Sequence, residues 1–217
     1  MYKLYWAPGT AAMAPQAVLE EIGVAYEPIR LDIATREHEQ PAYKALNPNG
    51  RIPTLVDGDF VLFETAAICQ YLADRHPEAG LVPAEHPLRG RHYQWLTYMT
   101  NTIQAGFLDW FHPDWTFADP AQQAALKAAA GEKLYRNFQV LDDGIGPKSA
   151  GGSYMLGSSF SLCDIYVAML TRWSRFMERP MWRWVNIERV VGATYTRPAF
   201  QRMMQKQGIA WAENWGK

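Results

Sequence analysis

The stretch "NPNGRIPTLVDG" (residues 47–58) is the most informative part of the sequence about the fold of the first half of the chain. Its first four residues form a turn, because Asn, Pro and Gly each favour turn geometry. Pro53 then directly precedes an apolar strand, where a proline is tolerated only at the start or the edge. The Ile52–Pro53 bond is either trans or cis. In the cis form the backbone N–H and C=O of Ile52 face outward, where they can pair with an extended peptide ligand.

The segments around this stretch predict a mixed sheet with helices on its faces. "RIPTLVDGDFVLF" (residues 51–63) places two short strands around an Asp57-Gly58 turn, which is typical of a hairpin. Upstream, "KLYWA" and "YEPIRLDI" have the composition of strands, and "MAPQAVLEEIGVAY" between them has helical spacing. A helix that begins at "ETAAICQYLADRHP" follows the hairpin, so the order within 76 residues alternates strands and helices.

The second half of the chain predicts only helices. Residues 77–87 contain three of the 14 prolines and no sustained periodicity, which is typical of a linker. Beyond it, helical spacing runs through four segments: residues 88–111, 120–145, 161–178 and 198–211. We therefore predict three regions, namely an α/β domain over residues 1–76, a linker over 77–87 and an all-α helical bundle over 88–217.

Composition and charge exclude several classes of function. Twenty-one Lys and Arg against 22 Asp and Glu give a net charge of −1, which disfavours nucleic acid as a partner. The sequence has no apolar run of the ~18 residues that a membrane span needs and no secretory signal, so we expect a cytoplasmic protein without a membrane partner. The two cysteines lie in apolar helical patterns and the five histidines show no metal-binding spacing, so we expect no disulfide and no metal.

One strand-to-helix junction and one loop-to-helix junction carry polar residues whose role is either structural or functional. "FETAAICQYL" places Glu64 and Thr65 where a strand meets a helix. They are either an ordinary helix cap or a site where the Thr65 hydroxyl and the first helix amides bind a carboxylate. In "SSFSLCDIYVAML", Ser161 and Asp164 have the spacing of a capping box, so we interpret Asp164 as structural rather than functional.

Together these motifs resemble the cytosolic glutathione transferases over nearly the whole chain. "NPNGRIPTL" followed by "ETAAICQYL" resembles the glutathione-binding half of that family, which is a thioredoxin-like domain with a mixed four-stranded sheet. "SLCDIYVAML" resembles a segment of the family's all-helical domain. "YWAPGTAAMAPQAVLEE" is most similar to the bacterial beta class, but it has Ala11 and Ala12 where that class has cysteine and serine.

The resemblance implies a set of glutathione-binding residues in the first domain. Ile52, followed by Pro53, would pair with the backbone of the cysteinyl unit, while Glu64 and Thr65 would hold the charged end of the γ-glutamyl unit. The glycine carboxylate would be bound by basic residues near the turn, for which the candidates are Arg36, His38 and Arg51.

The group that would activate the glutathione thiol is less clear from the resemblance. The cysteine chemistry of the beta class is unavailable at Ala11, and Gln104 and Ala105 stand where that class has a His-Lys pair. The remaining donors are the Thr10 hydroxyl, the backbone amides of Ala11 and Ala12, and the side chains of Asn101, Thr97 or Gln104 from the facing helix. Thr10 is alternatively only a turn residue after Gly9.

The resemblance also implies a second-substrate site between the domains, rich in aromatic residues, for an apolar electrophile. Its candidate residues are Trp6, Tyr98, Asn101, Gln104, Phe107, Trp110, Phe111 and Trp211. We therefore predict a bacterial, homodimeric glutathione S-transferase of detoxification that conjugates glutathione, its co-substrate, to such an electrophile. The alternative is a binding protein of the same fold that holds glutathione or apolar compounds without catalysis.

Overall fold

Four short strands form one mixed sheet in the first part of the chain. The computed structural model describes residues 1–146 and 152–211. Its strands are β1 (Tyr2–Trp6), β2 (Tyr26–Arg30), β3 (Thr54–Asp57) and β4 (Phe60–Phe63). The spatial order is β2-β1-β3-β4, with β1 parallel to β2 and antiparallel to β3, which is antiparallel to β4. Leu4 and Leu55, paired across β1 and β3, are fully buried, so the apolar core runs through the centre of this sheet.

The helices that accompany the sheet begin and end where local sequence signals predict. They are α1 (Met13–Ile22), α2 (Pro41–Lys44) and α3 (Thr65–Arg75), with a short 3₁₀ turn at Glu37–Glu39. Pro15 lies in the first turn of α1, and Gly23 ends that helix in the left-handed conformation with φ 78°. α1 and α3 pack against each other. The α/β prediction for this region is confirmed.

The second compact unit, Pro83–Thr194, is mainly helical in the part that the structure describes, with one isolated β-bridge between Tyr154 and Gly157 in the loop before Leu162. Its helices are α4 (His86–Tyr98), α5 (Ala105–Phe111), α6 (Pro120–Ile145), α7 (Leu162–Trp173) and α8 (Val185–Tyr195). A π-helical segment, Met99–Gln104, joins α4 to α5. The predicted segment 88–111 is therefore two helices rather than one, α4 begins inside the predicted linker, and α8 was not predicted.

The capping box at the start of α7 is present as predicted. Ser161 donates to the Asp164 carboxylate through both its backbone amide and its hydroxyl, each over 2.8 Å. The same carboxylate accepts from the amide of Met155 over 2.7 Å. Asp164 is fully buried, so its three hydrogen bonds join the loop before α7 to the helix itself.

The last helix, α9 (Pro198–Gln207), lies in the same compact unit as the sheet. That unit comprises Met1–Val82 together with the chain from Tyr195 onward. α9 packs on α1, and Arg202 and Lys206 contact the buried carboxylate of Glu20 over 3.1 and 2.5 Å. Our boundaries, which assigned all of residues 88–217 to the helical domain, differ from this division because helical periodicity does not reveal which neighbour a helix packs against.

Candidate functional site

The turn at Arg51-Ile52 holds the backbone N–H and C=O of Ile52 in a defined direction. The Arg51 carbonyl accepts a hydrogen bond from the Tyr43 hydroxyl over 2.6 Å and another from Asn47 Nδ2 over 2.7 Å. Because a peptide unit is planar, anchoring this carbonyl fixes the direction of the Ile52 N–H on the opposite side. The bond that follows, Ile52–Pro53, is cis. Neither the N–H nor the C=O of Ile52 forms a hydrogen bond with any residue that the structure describes.

The same turn lies against the segment that contains His38. Gly50 has φ 58°, and a Cβ atom there would lie 3.0 Å from the His38 carbonyl oxygen, so only glycine permits this approach. His38 Nδ1 is buried and has no hydrogen-bond partner within residues 1–146 and 152–211. Of the candidates for the glycine carboxylate, His38 and Arg51 are thus brought to one region of the fold.

Arg36, the third candidate for that carboxylate, is engaged with another side chain. Its guanidinium forms an ion pair and hydrogen bond with Glu39 on the surface. That hydrogen bond lowers the pKa of Glu39 and raises the pKa of Arg36. An additional carboxylate would have to compete with Glu39 for the Arg36 guanidinium.

The start of α3 has the features of an anion-binding helix terminus. Glu64 precedes the helix with φ 74° and ψ 113°, a backbone conformation that costs about 1–3 kcal/mol for a residue other than glycine. No side chain caps α3, and Ile68 is the first residue whose amide donates to a carbonyl of this segment, that of Glu64 over 2.9 Å. Thr65 is the first helical residue and is buried. The amides of Thr65 and Ala66 at this helix start donate to no acceptor among the described residues, and amides in this position favour an anion.

The loop before α1 offers one free amide donor. The Thr10 hydroxyl donates to the Ala7 carbonyl over 2.8 Å and accepts from the Ala12 amide over 3.3 Å. The single hydroxyl proton of Thr10 is therefore bonded to the Ala7 carbonyl, as expected if Thr10 is only a turn residue. The Ala11 amide, by contrast, donates to no acceptor in the described part of the chain. It lies two residues before the start of α1, where the helix dipole stabilises negative charge.

Trp6, at the end of β1, is buried beside this loop. Its side chain is 7% exposed, and its indole Nε1 has no hydrogen-bond partner among the residues that the structure describes. The Arg30 guanidinium lies 6.0 Å from the centre of the Trp6 ring. A buried indole N–H without a partner is uncommon, because its desolvation is then uncompensated.

The predicted second-substrate residues of the helical unit fall into two groups. Phe107 has no exposed surface and packs against Phe138 and Trp173 at ring distances of 6.0 and 5.9 Å. It is a core residue, so the prediction that it contacts a substrate is not supported. Trp110 and Phe111 remain partly exposed, their rings 4.9 Å apart.

The polar candidates of that unit lie at the π-helical segment or next to it. Asn101 is exposed, and Gln104 is half-buried with its carbonyl oxygen accepting a hydrogen bond from the Tyr166 hydroxyl. Tyr98, just before the segment, is half-buried with its hydroxyl 3.4 Å from the Asn137 carbonyl. π-Helical turns are frequent at functional sites. No pattern in the amino-acid sequence predicts the π-helical turn at Met99–Gln104.

Trp211 lies in the same compact unit as the sheet. Its ring packs against Tyr195 and Phe200 at centroid distances of 5.3 and 6.1 Å, and 8% of the residue is exposed. Trp211 therefore differs from the other second-substrate candidates that follow the predicted linker, which all lie in the helical unit.

Cysteine and metal chemistry find no support in the described residues. Cys69 and Cys163 are buried free thiols, and burial raises the pKa of each, so neither supplies a thiolate near neutral pH. Within residues 1–146 and 152–211, no three His, Cys, Asp or Glu side chains are grouped so that they could hold a metal ion. None of the helices in these ranges is long and apolar enough to cross a membrane.

Comparison with known proteins gives the family. Residues 1–74 match the family model for the glutathione S-transferase N-terminal domain. Glutathione S-transferase 3 of Zea mays is 33% identical over 177 residues, which cover 77% of this chain and 76% of that protein. The chain belongs to the glutathione S-transferase family.

Solved structures agree over both compact units. A glutathione transferase homologue from Sulfitobacter, solved with bound glutathione, has a TM-score of 0.88 and 26% identity, covering 97% of this chain and 99% of that one. A beta-class glutathione S-transferase from Sphingomonas chungbukensis has a TM-score of 0.81 and 27% identity, covering 96% and 100%. The predicted membership of this enzyme family, the thioredoxin-like domain and the helical second region are confirmed.

Several residues that support the candidate site through hydrogen bonds were not predicted from the sequence. Tyr43 and Asn47 orient the Arg51-Ile52 peptide, and Gln207 contacts the loop before α1. Asn47 belongs to the Asn-Pro-Asn-Gly turn that the sequence predicts, whereas no local pattern at Tyr43 or Gln207 indicates these contacts.

Proposed function

We propose that this protein is a glutathione transferase that conjugates the thiolate of glutathione to an apolar electrophile. We propose further that it acts in the cytoplasm as a homodimer in the removal of toxic compounds. The observation that carries the proposal is the set of free backbone groups in the sheet-containing unit: the N–H and C=O of Ile52 and the uncapped start of α3. This set is complementary to an extended peptide that ends in a charged group.

Each part of glutathione then has a partner. The cysteinyl backbone pairs with Ile52 beside Pro53, and the γ-glutamyl carboxylate lies at the Thr65 and Ala66 amides. Glu64, exposed beside them, accepts from the γ-glutamyl ammonium group. The glycine carboxylate lies near His38 and Arg51, with Arg36 able to contribute only by releasing Glu39.

The thiol is activated by a backbone amide in this proposal. A free thiol has a pKa of ~8.5, so about two units of lowering, or ~2.7 kcal/mol of preferential thiolate stabilisation, make the thiolate abundant at neutral pH. The Ala11 amide is free to donate and lies at the start of α1. A charge-assisted hydrogen bond and the helix dipole together supply stabilisation of this size. Thr10 supports the loop and, in this scheme, does not itself donate to sulfur.

The electrophile is apolar because aromatic side chains are abundant among the remaining candidates. Trp110 and Phe111 keep partly exposed rings on the helical unit. Apolar and aromatic linings with few polar groups are typical of small-molecule sites. Gln104, whose carbonyl is engaged by Tyr166, retains its amide N–H groups as donors for a polar substituent.

A second candidate function is binding of glutathione or apolar compounds without useful catalysis. The observation that favours it is that the Thr10 proton is engaged by Ala7 and the Ala12 amide by Thr10, so that among the described residues the Ala11 amide is the one donor of the loop without an acceptor. The two candidates differ in one measurable quantity, which is the pKa of the thiol of bound glutathione.

The deciding experiment is the ultraviolet absorbance of the thiolate in the protein–glutathione complex between about pH 5 and 9. A thiol pKa well below its free value, together with conjugation of chlorodinitrobenzene, supports the transferase. Thr10→Val removes the hydroxyl and should leave much of the shift, whereas Ala11→Pro removes the amide N–H and should abolish it. Bound glutathione with an unshifted thiol would refute the transferase and support the binding protein.

A further inference from the structure

The last residue of α9, Gln207, is hydrogen-bonded to the loop that carries the candidate thiol donor. Its Oε1 accepts from the Gly9 amide over 2.9 Å, and its Nε2 donates to Gln16 Oε1 over 2.8 Å. Gln207 is 4% exposed and Gln16 is fully buried. A side chain 198 positions away in sequence thus contacts the backbone two residues before Ala11.

The loop needs such a restraint at Gly9. Gly9 has φ 71°, a left-handed conformation that glycine adopts readily but from which it also departs readily. Thr10, which follows, ties the loop internally through Ala7 and the Ala12 amide. The direction of the Ala11 amide therefore depends on the Gly9 conformation, and the bond from Gln207 holds the peptide on the N-terminal side of that flexible residue.

The amide orientation of Gln207 is set by a chain of hydrogen bonds that ends at a charge. Tyr26 donates its hydroxyl proton to Glu20 Oε1 over 2.7 Å, so its oxygen accepts from Gln16 Nε2 over 3.0 Å. The Gln16 oxygen is then left to accept from Gln207 Nε2, which turns the Gln207 oxygen toward Gly9. Every donor in this chain points toward the carboxylate, and reversing one buried amide would leave N–H groups facing each other.

Glu20 remains a carboxylate because cations surround it. Burial raises the pKa of Glu20, but hydrogen bonds from Lys206, Tyr26 and Arg202 outweigh it and hold the pKa below the usual value. Lys206 Nζ lies 2.5 Å from Oε1 and Arg202 Nε lies 3.1 Å from Oε2. Lys206 is the immediate neighbour of Gln207 on α9, so one helix supplies both a cation for Glu20 and the acceptor for Gly9.

We propose that Gln207 is a positioning residue for the thiol-activating loop: it holds Gly9 so that the Ala11 amide faces the sulfur of bound glutathione, and Glu20 fixes its orientation through Tyr26 and Gln16. This inference rests on the proposed function. The side chain of Gln207 touches neither substrate nor sulfur in this scheme, so its loss should affect the thiolate more than the affinity for glutathione.

The test compares Gln207→Leu with Gln207→Glu and with Gln205→Leu. Gln207→Leu removes the acceptor, Gln207→Glu keeps an oxygen for the Gly9 amide, and Gln205 is an exposed residue of the same helix. In Gln207→Leu we expect a higher thiol pKa for bound glutathione and a kcat for chlorodinitrobenzene lower by about tenfold near pH 6.5, with little change in KM for glutathione. Gln207→Glu should recover most of the loss.

A readout without glutathione separates this inference from the proposed function. Hydrogen exchange of the Gly9 amide in the ligand-free protein should accelerate at least about tenfold in Gln207→Leu and stay unchanged in Gln205→Leu. If Gly9 exchange is unchanged, or if it accelerates while the thiol pKa and kcat match those of wild type, the inference is wrong. If the wild-type protein does not lower the thiol pKa of bound glutathione at all, the proposed function is refuted. The proposed role of Gln207 in orienting the thiolate donor is then refuted as well, even if exchange of the Gly9 amide shows that Gln207 holds the loop.

The orienting role of Glu20 has its own variant. Glu20→Gln keeps the shape but replaces an acceptor-only carboxylate by an amide that can also donate, so only the Gly9 N–H still favours the wild-type direction of the chain from Tyr26 to Gln207. In Glu20→Gln we expect the thiol pKa of bound glutathione to rise, but by less than it rises in Gln207→Leu. A thiol pKa equal to that of wild type in Glu20→Gln would show that the carboxylate does not set the orientation of Gln207.

Discussion

Replacing Glu64 by glycine should make the protein more stable and a weaker binder of glutathione at the same time. Glu64 has φ 74° and ψ 113°, and its side chain is exposed without a capping hydrogen bond. Backbone strain of this kind costs about 1–3 kcal/mol, whereas the extra conformational freedom of an unfolded glycine costs about 0.5–1 kcal/mol. The expected net gain is about 1 kcal/mol, or roughly 2–4 °C in Tm for a chain of this size.

The loss of affinity follows from the role proposed for the Glu64 carboxylate. A hydrogen bond to a charged group contributes about 1.5–3 kcal/mol, so its removal should weaken glutathione binding by about 10- to 100-fold. Glu64→Gln is the matched control, because it keeps the strained backbone and removes only the charge. It should lose affinity without gaining stability.

Thermal unfolding and titration calorimetry with glutathione measure the two effects separately. A lower Tm for Glu64→Gly would show that the left-handed backbone is not strained. Unchanged affinity in both variants would show that Glu64 does not contact glutathione, and it would remove one of the main residues from the proposed site.

Three further predictions concern the supports of the site and of the fold. Tyr43→Phe removes one of two donors that orient the peptide before Ile52, so titration should show several-fold weaker glutathione binding with an unchanged thiol pKa; an unchanged Kd would contradict this. Burial raises the pKa of Asp164 to about 6, above ~3.9 in the unfolded chain, so its contribution to stability is full below about pH 4 and is lost as the pH rises through about 6. Urea unfolding at several pH values should show that Asp164→Asn removes about 3 kcal/mol of the pH dependence of the free energy of unfolding. A pH profile of the variant parallel to that of wild type would refute this prediction. Gly144→Ala places a methyl group 2.1 Å from a tryptophan of α4 and should lower Tm by several degrees, whereas Gly90→Ala, in open space on α4, should not.

The binding half of the site could be predicted from the sequence because its features are local. The turn before Gly50, the proline at the strand start and the junction at Glu64 each depend on a few adjacent residues. The left-handed backbone of Glu64 was not predictable, since Glu has no preference for that conformation and only the surrounding fold imposes it.

The activating half was less accessible to sequence reasoning. Thr10 was a reasonable candidate because it offers the loop's only hydroxyl, but whether that hydroxyl is free depends on its distance from the Ala7 carbonyl. Phe107 has the aromatic character of a substrate contact, yet its neighbours along α6 and α7 enclose it completely. Exposure is a property of packing, and the residue type does not specify it.

Interactions within a few residues made four features predictable from the amino-acid sequence: the strands, the turn at Asp57-Gly58, the end of α1 at Gly23 and the capping box at Ser161. The packing of α9 in the sheet-containing unit and the hydrogen bond from Gly9 to Gln207 became known only from the folded structure. Such contacts join residues far apart in sequence. Their partners are selected by shape and by the satisfaction of buried polar groups, which local periodicity does not record.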